Sequence, residues 1–374
     1  MRHDGMRARN LALVLGEVQR GGPLSRAALS ELTGLTKTTV SKLVGDLLEA
    51  GIVEEAGPAR DGERGRPGVP VRLSGARVGA LGLEVNVDYL AVCVLDLTGT
   101  VRRSRKVPAT NRGTTPAKTL AALAELAAEE AAASGLTIAG TGLAVPGPVR
   151  EGVLQHAPHL GWHDVRVDLG RPVEVDNEAN LAALGELWFG SRERDFLYVS
   201  GEIGIGAGIV VGGELFRGCH GFAGELGHVA VDPAGPPCRC GARGCLEVYA
   251  GQDALVGPAA GEDAVAELVS RLESGVRLGA ITRAGEALGL VLGSAVHLLD
   301  PGRIVLGGIF APLFPWLAPP AAEAMAGRLG GLRATPPPLI RSRLGADAAV
   351  LGAAGQVIRR VLSDPYAFTR SAPA

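Results

Sequence analysis

Gly224-Glu225-Leu226-Gly227-His228, nine further residues, then Cys238-Arg239-Cys240-Gly241-Ala242-Arg243-Gly244-Cys245-Leu246-Glu247: this stretch carries the densest chemistry in the chain. It sets an imidazole near three thiols that fall within eight residues. His plus three Cys is a complete tetrahedral set for zinc, and the glycines between them let the backbone wrap closely around one ion. Four protein ligands leave no position open for water. The expected role is therefore structural, with one zinc ion per chain on His228, Cys238, Cys240 and Cys245. The competing reading of such a cluster is a redox dithiol. Cys93 and Cys219 stand outside the set, and five cysteines in 374 residues, an odd number, are too few for a disulfide scaffold.

Outward from this loop the texture is α/β. Residues 80–97 read as strand, broken near Asn86-Val87-Asp88, and Gly99 turns the chain into a strand at 101–107. An Ala/Leu/Glu-rich helix at 116–134 and an apolar strand at 138–145 follow. The strand–turn–strand theme returns at 196–200, 207–211 and 214–217, around Gly212-Gly213. The repetition hints at an internal duplication, and the alternation of strands and helices gives the α/β class. Asp176-Asn177-Glu178, with Asn180, opens a helix running to Trp188. Acids and amides grouped in this way suit a polyol, whose hydroxyls need paired donors and acceptors. They suit the capping of a helix equally well.

Composition sets the outer bounds. A length of 374 residues gives two or three domains, each large enough for its own core. A balance of 37 basic against 39 acidic side chains, net −2, excludes a chain-wide polycationic coat for nucleic acid. The longest uncharged runs, 131–149 and 304–322, contain glycines and prolines that would break a lipid-exposed helix. The expected protein is soluble and cytoplasmic, with no membrane partner.

The averaged charge conceals a division. Residues 1–75 hold eleven Arg/Lys against nine Asp/Glu, and the remainder holds 26 against 30. Arg2, Arg7 and Arg9 precede the first expected helix, whose Leu11, Val14, Leu15 and Val18 recur at helical spacing up to Gly21-Gly22-Pro23. Ser25 can cap a second helix that stops at Gly34. Thr36 can cap a third, with Val40, Leu43, Val44, Leu47 and Leu48 on its buried face. Short helices joined by a tight turn make a helix-turn-helix. The third helix exposes Lys37, Thr38, Thr39, Ser41 and Lys42, which are partners for phosphates and base edges in a major groove. Ile52-Val53-Glu54-Glu55 and Val69-Pro70-Val71-Arg72-Leu73 flank an Arg-rich turn and form a wing with Arg64 and Arg66 at its tip. The bland alternative is a three-helix docking domain.

Taken together, the motifs resemble the ROK family of sugar kinases and sugar-responsive repressors. The likeness rests on Pro146-Gly147-Pro148, on Asn177-Glu178-Ala179-Asn180-Leu181, and on Gly204-Ile205-Gly206-Ala207-Gly208. It extends through Gly224-Glu225-Leu226-Gly227-His228, the Cys cluster ending in Glu247, and Ile304-Val305-Leu306-Gly307-Gly308. The resemblance implies a two-lobed, actin-like body with the sugar in the cleft. Its domains would be a winged helix at 1–75, a first lobe at 76–190, and a second lobe at 191–374 whose last helix packs back on the first. It also implies that Asn177, Glu178, Glu225, His228 and Glu247 line the sugar pocket, His228 serving zinc as well.

Where family kinases carry an Asp-x-Gly-Gly-Thr phosphate loop, this chain reads Glu84-Val85-Asn86-Val87-Asp88, without the glycines that admit phosphate to the backbone. Glu178 stands at the position of the kinase's catalytic Asp, and Glu202-Ile203 precedes Gly204 in the second phosphate loop. His159 replaces a usual Asn. Three changes at one reaction centre imply lost phosphoryl transfer with hydroxyl recognition retained, so neither a catalytic residue nor ATP is expected. The expected function is a sugar-responsive repressor of carbohydrate uptake or catabolism. Its partners would be operator DNA and a sugar or sugar phosphate, and its assembly a homodimer or homotetramer. The alternative is an active ATP-dependent sugar kinase with an appended DNA-binding domain.

Overall fold

The computed structural model describes residues 2–57, 69–257, 263–333 and 335–371. At the N-terminus, helices Arg2–Gly21, Arg26–Thr33 and Lys37–Glu49 bury Leu11, Val14, Leu15, Leu29, Val40, Leu43, Val44 and Leu47. Local chemistry sets their ends. The Ser25 hydroxyl accepts the Ala28 N–H at 3.1 Å, Gly34 ends the second helix at φ 70°, and the Thr36 hydroxyl accepts the Thr39 N–H at 3.2 Å. A three-stranded antiparallel sheet completes the unit, with Pro70–Leu73 between Leu24–Ser25 and Val53–Glu55. This is the expected winged helix-turn-helix, although Arg64 and Arg66 lie outside the described residues.

Arg2, Arg7 and Arg9 do not precede the first helix; they lie within Arg2–Gly21. Remote partners hold this extension. Arg7 Nη2 donates to Asp46 Oδ2 of the third helix at 2.6 Å, and the Tyr366 hydroxyl donates to Asp4 Oδ1 at 2.8 Å. Arg7 is thus a clip on the third helix rather than part of a free arm.

Two five-stranded sheets of one plan follow. In the first, Val101–Pro108, Tyr89–Asp96 and Val78–Val85 form an antiparallel meander that Thr137–Val145 and Glu174–Asn177 extend in parallel. In the second, Glu214–Phe216, Ile205–Val211 and Phe196–Gly201 form the meander, with Ile304–Gly308 and Leu339–Arg341 parallel beside it. The identical order makes the hinted duplication concrete. A hairpin, Val153–Ala157 with Trp162–Arg166, is inserted in the first half.

The helices cross between the lobes. Glu178–Phe189 follows the first sheet yet packs on strands Phe196–Gly201 and Ile205–Val211 of the second. Ala348–Ser363 follows the second sheet yet packs on Val78–Val85 and Thr137–Val145 of the first. The two helices also touch each other, backbone against backbone. A Cβ on Gly352 would collide with the Leu181 carbonyl oxygen, and one on Gly185 with that of Ala348. Helix Ala348–Ser363 supports the N-terminal unit too, because Val357, Ile358, Val361 and Leu362 share one apolar core with Leu11, Val14, Leu15 and Val18. Among the described residues no helix is long and apolar enough to cross a membrane.

A methyl group at this crossing has nowhere to go, since a carbonyl cannot rotate away as a side chain can. Gly352→Ala is expected to destabilise the protein by about 1–3 kcal/mol, the usual cost of overpacking. Urea unfolding of the variant beside wild type checks this, and an unchanged midpoint contradicts the packing described.

Candidate functional site

The turns of the two meanders meet across the cleft. Asn86 sits in one turn and Glu202 in the other, both on one pocket wall, and the Asn86 amide offsets part of the rise that burial imposes on Glu202. Arg112 Nη2 to Asp253 Oδ1 at 3.0 Å and Gln252 Nε2 to Asp88 Oδ2 at 3.3 Å add bridges. Beside this closure lies a pocket whose wall includes all five residues implied for sugar, Asn177, Glu178, Glu225, His228 and Glu247. It also includes Asn86, Pro146, Gly147, His159, Glu202 and Gly204.

Asn177 serves the fold as well as the pocket. It caps helix Glu178–Phe189, its Oδ1 accepting the N–H groups of Ala179 at 2.9 Å and Asn180 at 3.2 Å, while its Nδ2 donates to the Gly147 carbonyl at 3.0 Å. Asp176 is not on the pocket wall; its carboxylate is tied to Arg217, Asn180 and the Asn177 N–H. The ligand and capping readings of this segment therefore divide between neighbours, with Asn177 belonging to both.

The electrostatics are dominated by carboxyl groups. Glu178, Glu202, Glu225 and Glu247 line the pocket, and among its described lining residues there is no Lys or Arg. Burial first, then the nearby Glu202, Glu84 and Glu225, push Glu178 well above the usual carboxylate range. Burial pushes Glu202 up to about 8, with Glu84 adding to the rise. Glu84 is pushed up to about 7 by burial, against the Tyr89 hydroxyl that donates to its Oε1 at 2.8 Å and the Lys106 charge. Lys106 Nζ itself stands 3.5 Å above the Tyr89 ring. Oε2 of Glu84 and Oε2 of Glu178 are buried with no hydrogen-bond partner. Glu247 differs. Burial raises it, but the hydrogen bond and charge of His159, with His228 and the Ile205 N–H, bring it below the usual value.

Next to the pocket, one donor atom from each of His228, Cys238, Cys240 and Cys245 falls within 4.8 Å of all the others. Sulfurs at ~2.3 Å from a tetrahedral ion stand roughly 3.8 Å apart. Cys240 Sγ and Cys245 Sγ are separated by 3.7 Å, and Cys238 Sγ lies 3.9 Å from His228 Nδ1. The donor set therefore fits a four-coordinate metal. His228 turns its other nitrogen, Nε2, toward Glu225 Oε2 at 3.9 Å, so one ring faces both the cluster and the pocket. Burial pushes the Cys245 thiol up to about 12; a cation bound there would reverse that preference and favour the thiolate.

In the N-terminal unit, Lys37, Thr38, Ser41 and Lys42 are exposed and Thr39 is half-buried, while Val40, Leu43, Val44 and Leu47 form the buried face of helix Lys37–Glu49. Asn86, Val87, His159, Glu202 and Ile203 are pocket residues that sequence patterns singled out only as departures from a motif. Their signal was the motif itself, but their placement depended on the cleft.

A winged helix carried by two duplicated lobes that close on a carboxyl-rich pocket defines a DNA-binding regulator built on a sugar-kinase fold. Residues 80–360 match the ROK family and residues 10–64 the MarR family of DNA-binding domains. The chain belongs to the ROK family. It is 30% identical over 368 residues to the xylose repressor of Bacillus subtilis, covering 94% of this chain and 96% of the relative. Identity to the xylose repressor of Caldicellulosiruptor bescii is 30% over 351 residues, covering 83% and 86%. The fold matches the crystal structure of a ROK family transcriptional regulator, a homologue of the E. coli MLC protein, at a TM-score of 0.72 and 24% identity, covering 98% of this chain and 100% of that one.

The raised carboxyl groups have a measurable consequence. Glu84 and Glu202 hold their protons more tightly folded than at their ordinary value of 4.5, so their contribution to stability is complete below that value. It is lost progressively as pH rises from 4.5 to about 8, where both groups have ionised in the folded state too. The melting temperature should therefore fall across that window, and Glu202→Gln should flatten the fall. Differential scanning fluorimetry at constant ionic strength tests this; a variant profile as steep as wild type contradicts it.

Proposed function

We propose that the chain represses genes of carbohydrate uptake or catabolism and releases its operator when a sugar enters the cleft. The observation that carries this reading is the gathering of Asn177, Glu178, Glu225, His228 and Glu247 on one pocket wall, in a chain that also holds a complete helix-turn-helix. Similarity to repressors over almost their whole length supports it. The relatives' names make D-xylose the first effector to test. A pocket lined by four carboxyl groups and, among its described residues, no basic one suits an uncharged sugar better than a sugar phosphate.

The working division is a winged helix at 1–75, a first lobe at 76–190, and a second lobe at 191–374 whose helix Ala348–Ser363 returns to the first. Lys37, Thr38, Thr39, Ser41 and Lys42 contact the operator, helped by Arg64 and Arg66 of the wing. One such module is weakly basic. A homodimer or homotetramer in the cytoplasm would supply affinity through paired half-sites. The His228, Cys238, Cys240 and Cys245 set holds a structural zinc ion that orders the wall carrying Glu225 and Glu247. Phosphoryl transfer is absent because the turn at 86–88 lacks the glycines that would open backbone N–H groups to phosphate, and the Glu202 carboxyl group occupies the opposite turn.

Retardation of promoter fragments at physiological salt should show a specific complex that D-xylose or another neutral sugar dissolves. Failure to form any specific complex removes the reading. Coupled ADP release with the same sugars should stay at background. Cys238→Ser should lose the bound metal, about one ion per chain in wild type, together with the sugar response. Elemental analysis checks the first loss and retardation the second; a metal-free wild type with full response contradicts the assignment.

A further inference from the structure

His159 occupies the turn between strands Val153–Ala157 and Trp162–Arg166. That turn is held firmly. The N–H groups of Leu160 and Gly161 donate to the Ala157 carbonyl at 3.1 and 2.9 Å, and the buried Trp162 donates its Nε1 hydrogen to the Thr114 carbonyl at 2.8 Å. The side chain therefore enters the pocket wall on a rigid support. Its Nε2 lies 3.0 Å from Glu247 Oε1. A carboxylate can only accept, so Nε2 carries the hydrogen, and in the neutral tautomer that follows the lone pair sits on Nδ1. That Nδ1 is buried and has no hydrogen-bond partner. Leaving such an atom unmatched is costly, and the residue that carries it is part of the pocket wall. Gly204 packs beside this pair: a Cβ there would lie 2.5 Å from Glu247 Oε2 and 3.5 Å from His159 Nε2.

Resting on the sugar-effector reading above, we propose that His159 determines effector specificity, with Glu247 fixing its ring so that Nδ1 accepts one particular hydroxyl of the sugar. Glu247 acts here as a positioning group, since Oε1 takes the His159 hydrogen and Oε2 takes the Ile205 N–H at 3.3 Å. The class of ligand selected is a sugar with a free hydroxyl at that place. An analogue lacking the hydroxyl leaves Nδ1 unmatched and is rejected, because a site built to bond a hydroxyl discriminates strongly against its absence.

The test is calorimetric titration of wild type, His159→Gln and His159→Asn with D-xylose, D-glucose and their monodeoxy analogues. The Gln amide reaches the Nε2 position and keeps the bond to Glu247 without an acceptor at Nδ1. The Asn amide reaches the Nδ1 position without the bond to Glu247. Wild type should bind one deoxy analogue at least about tenfold more weakly than its parent sugar, a gap of ~1.4 kcal/mol. In His159→Gln the parent sugar should fall to the level of that analogue, and His159→Asn should restore part of the gap. The same parent-to-analogue ratio in wild type and both variants overturns the role of His159. If no sugar binds wild type while specific operator binding persists, the sugar reading itself fails and the role of His159 falls with it. Operator retardation by each ligand-free variant separates misfolding from lost recognition.

Discussion

Two helices that meet backbone to backbone hold this molecule together. Glu178–Phe189 belongs by sequence to the first lobe and packs on the second sheet, while Ala348–Ser363 belongs to the second lobe and packs on the first. Each lobe is thus capped by the other's helix, and the two caps touch through Gly185 and Gly352. Side chains at that crossing could yield by changing rotamer; peptide groups in a helix cannot. The crossing is therefore a stiff joint, and motion between the lobes has to rotate the helices about it or not occur.

The joint explains how a pocket in the cleft can concern a DNA-binding unit on the outside. Glu178, on the pocket wall, is the first residue of one crossing helix, and Asn177 caps it. The other crossing helix shares its apolar face with Leu11, Val14, Leu15 and Val18 of the winged-helix unit, and Tyr366 beyond it bonds Asp4. A ligand that favours one arrangement of Asn177 and Glu178 biases a stiff pair of helices, and the winged helix rides on that pair. The bias can be no larger than the ligand's difference in affinity between the two arrangements.

How much of this could be read in the sequence follows from the distance between partners along the chain. The caps Ser25 and Thr36 bond residues three positions away, and both helices begin where the sequence says they should. The thiols of Cys238, Cys240 and Cys245 are local as well, so the metal set was legible from spacing alone. Illegible features join remote segments. Arg7 meets Asp46 across 39 positions, His159 meets Glu247 across 88, and Tyr366 meets Asp4 across 362. The first helix extends back over the residues expected to precede it, and Arg7 there is tied to the third helix by a contact that the charge pattern alone does not reveal. For His159, a motif position was visible, but the buried lone pair on Nδ1 exists only because Glu247 takes the other nitrogen.

The carboxyl groups of the cleft show why losing a reaction need not mean losing a site. A phosphate entering this pocket would meet Glu178 and Glu202, both pushed toward the neutral form by burial and by the nearby Glu84. An added dianion would raise the cost of every ionised group around it. A neutral polyol does the opposite. Its hydroxyls donate to ionised carboxylates and accept from protonated ones, so it can match Glu178 and Glu202 in either state. The same carboxyl groups that disfavour a phosphate are therefore compatible with a neutral polyol, in keeping with a regulator rather than a kinase.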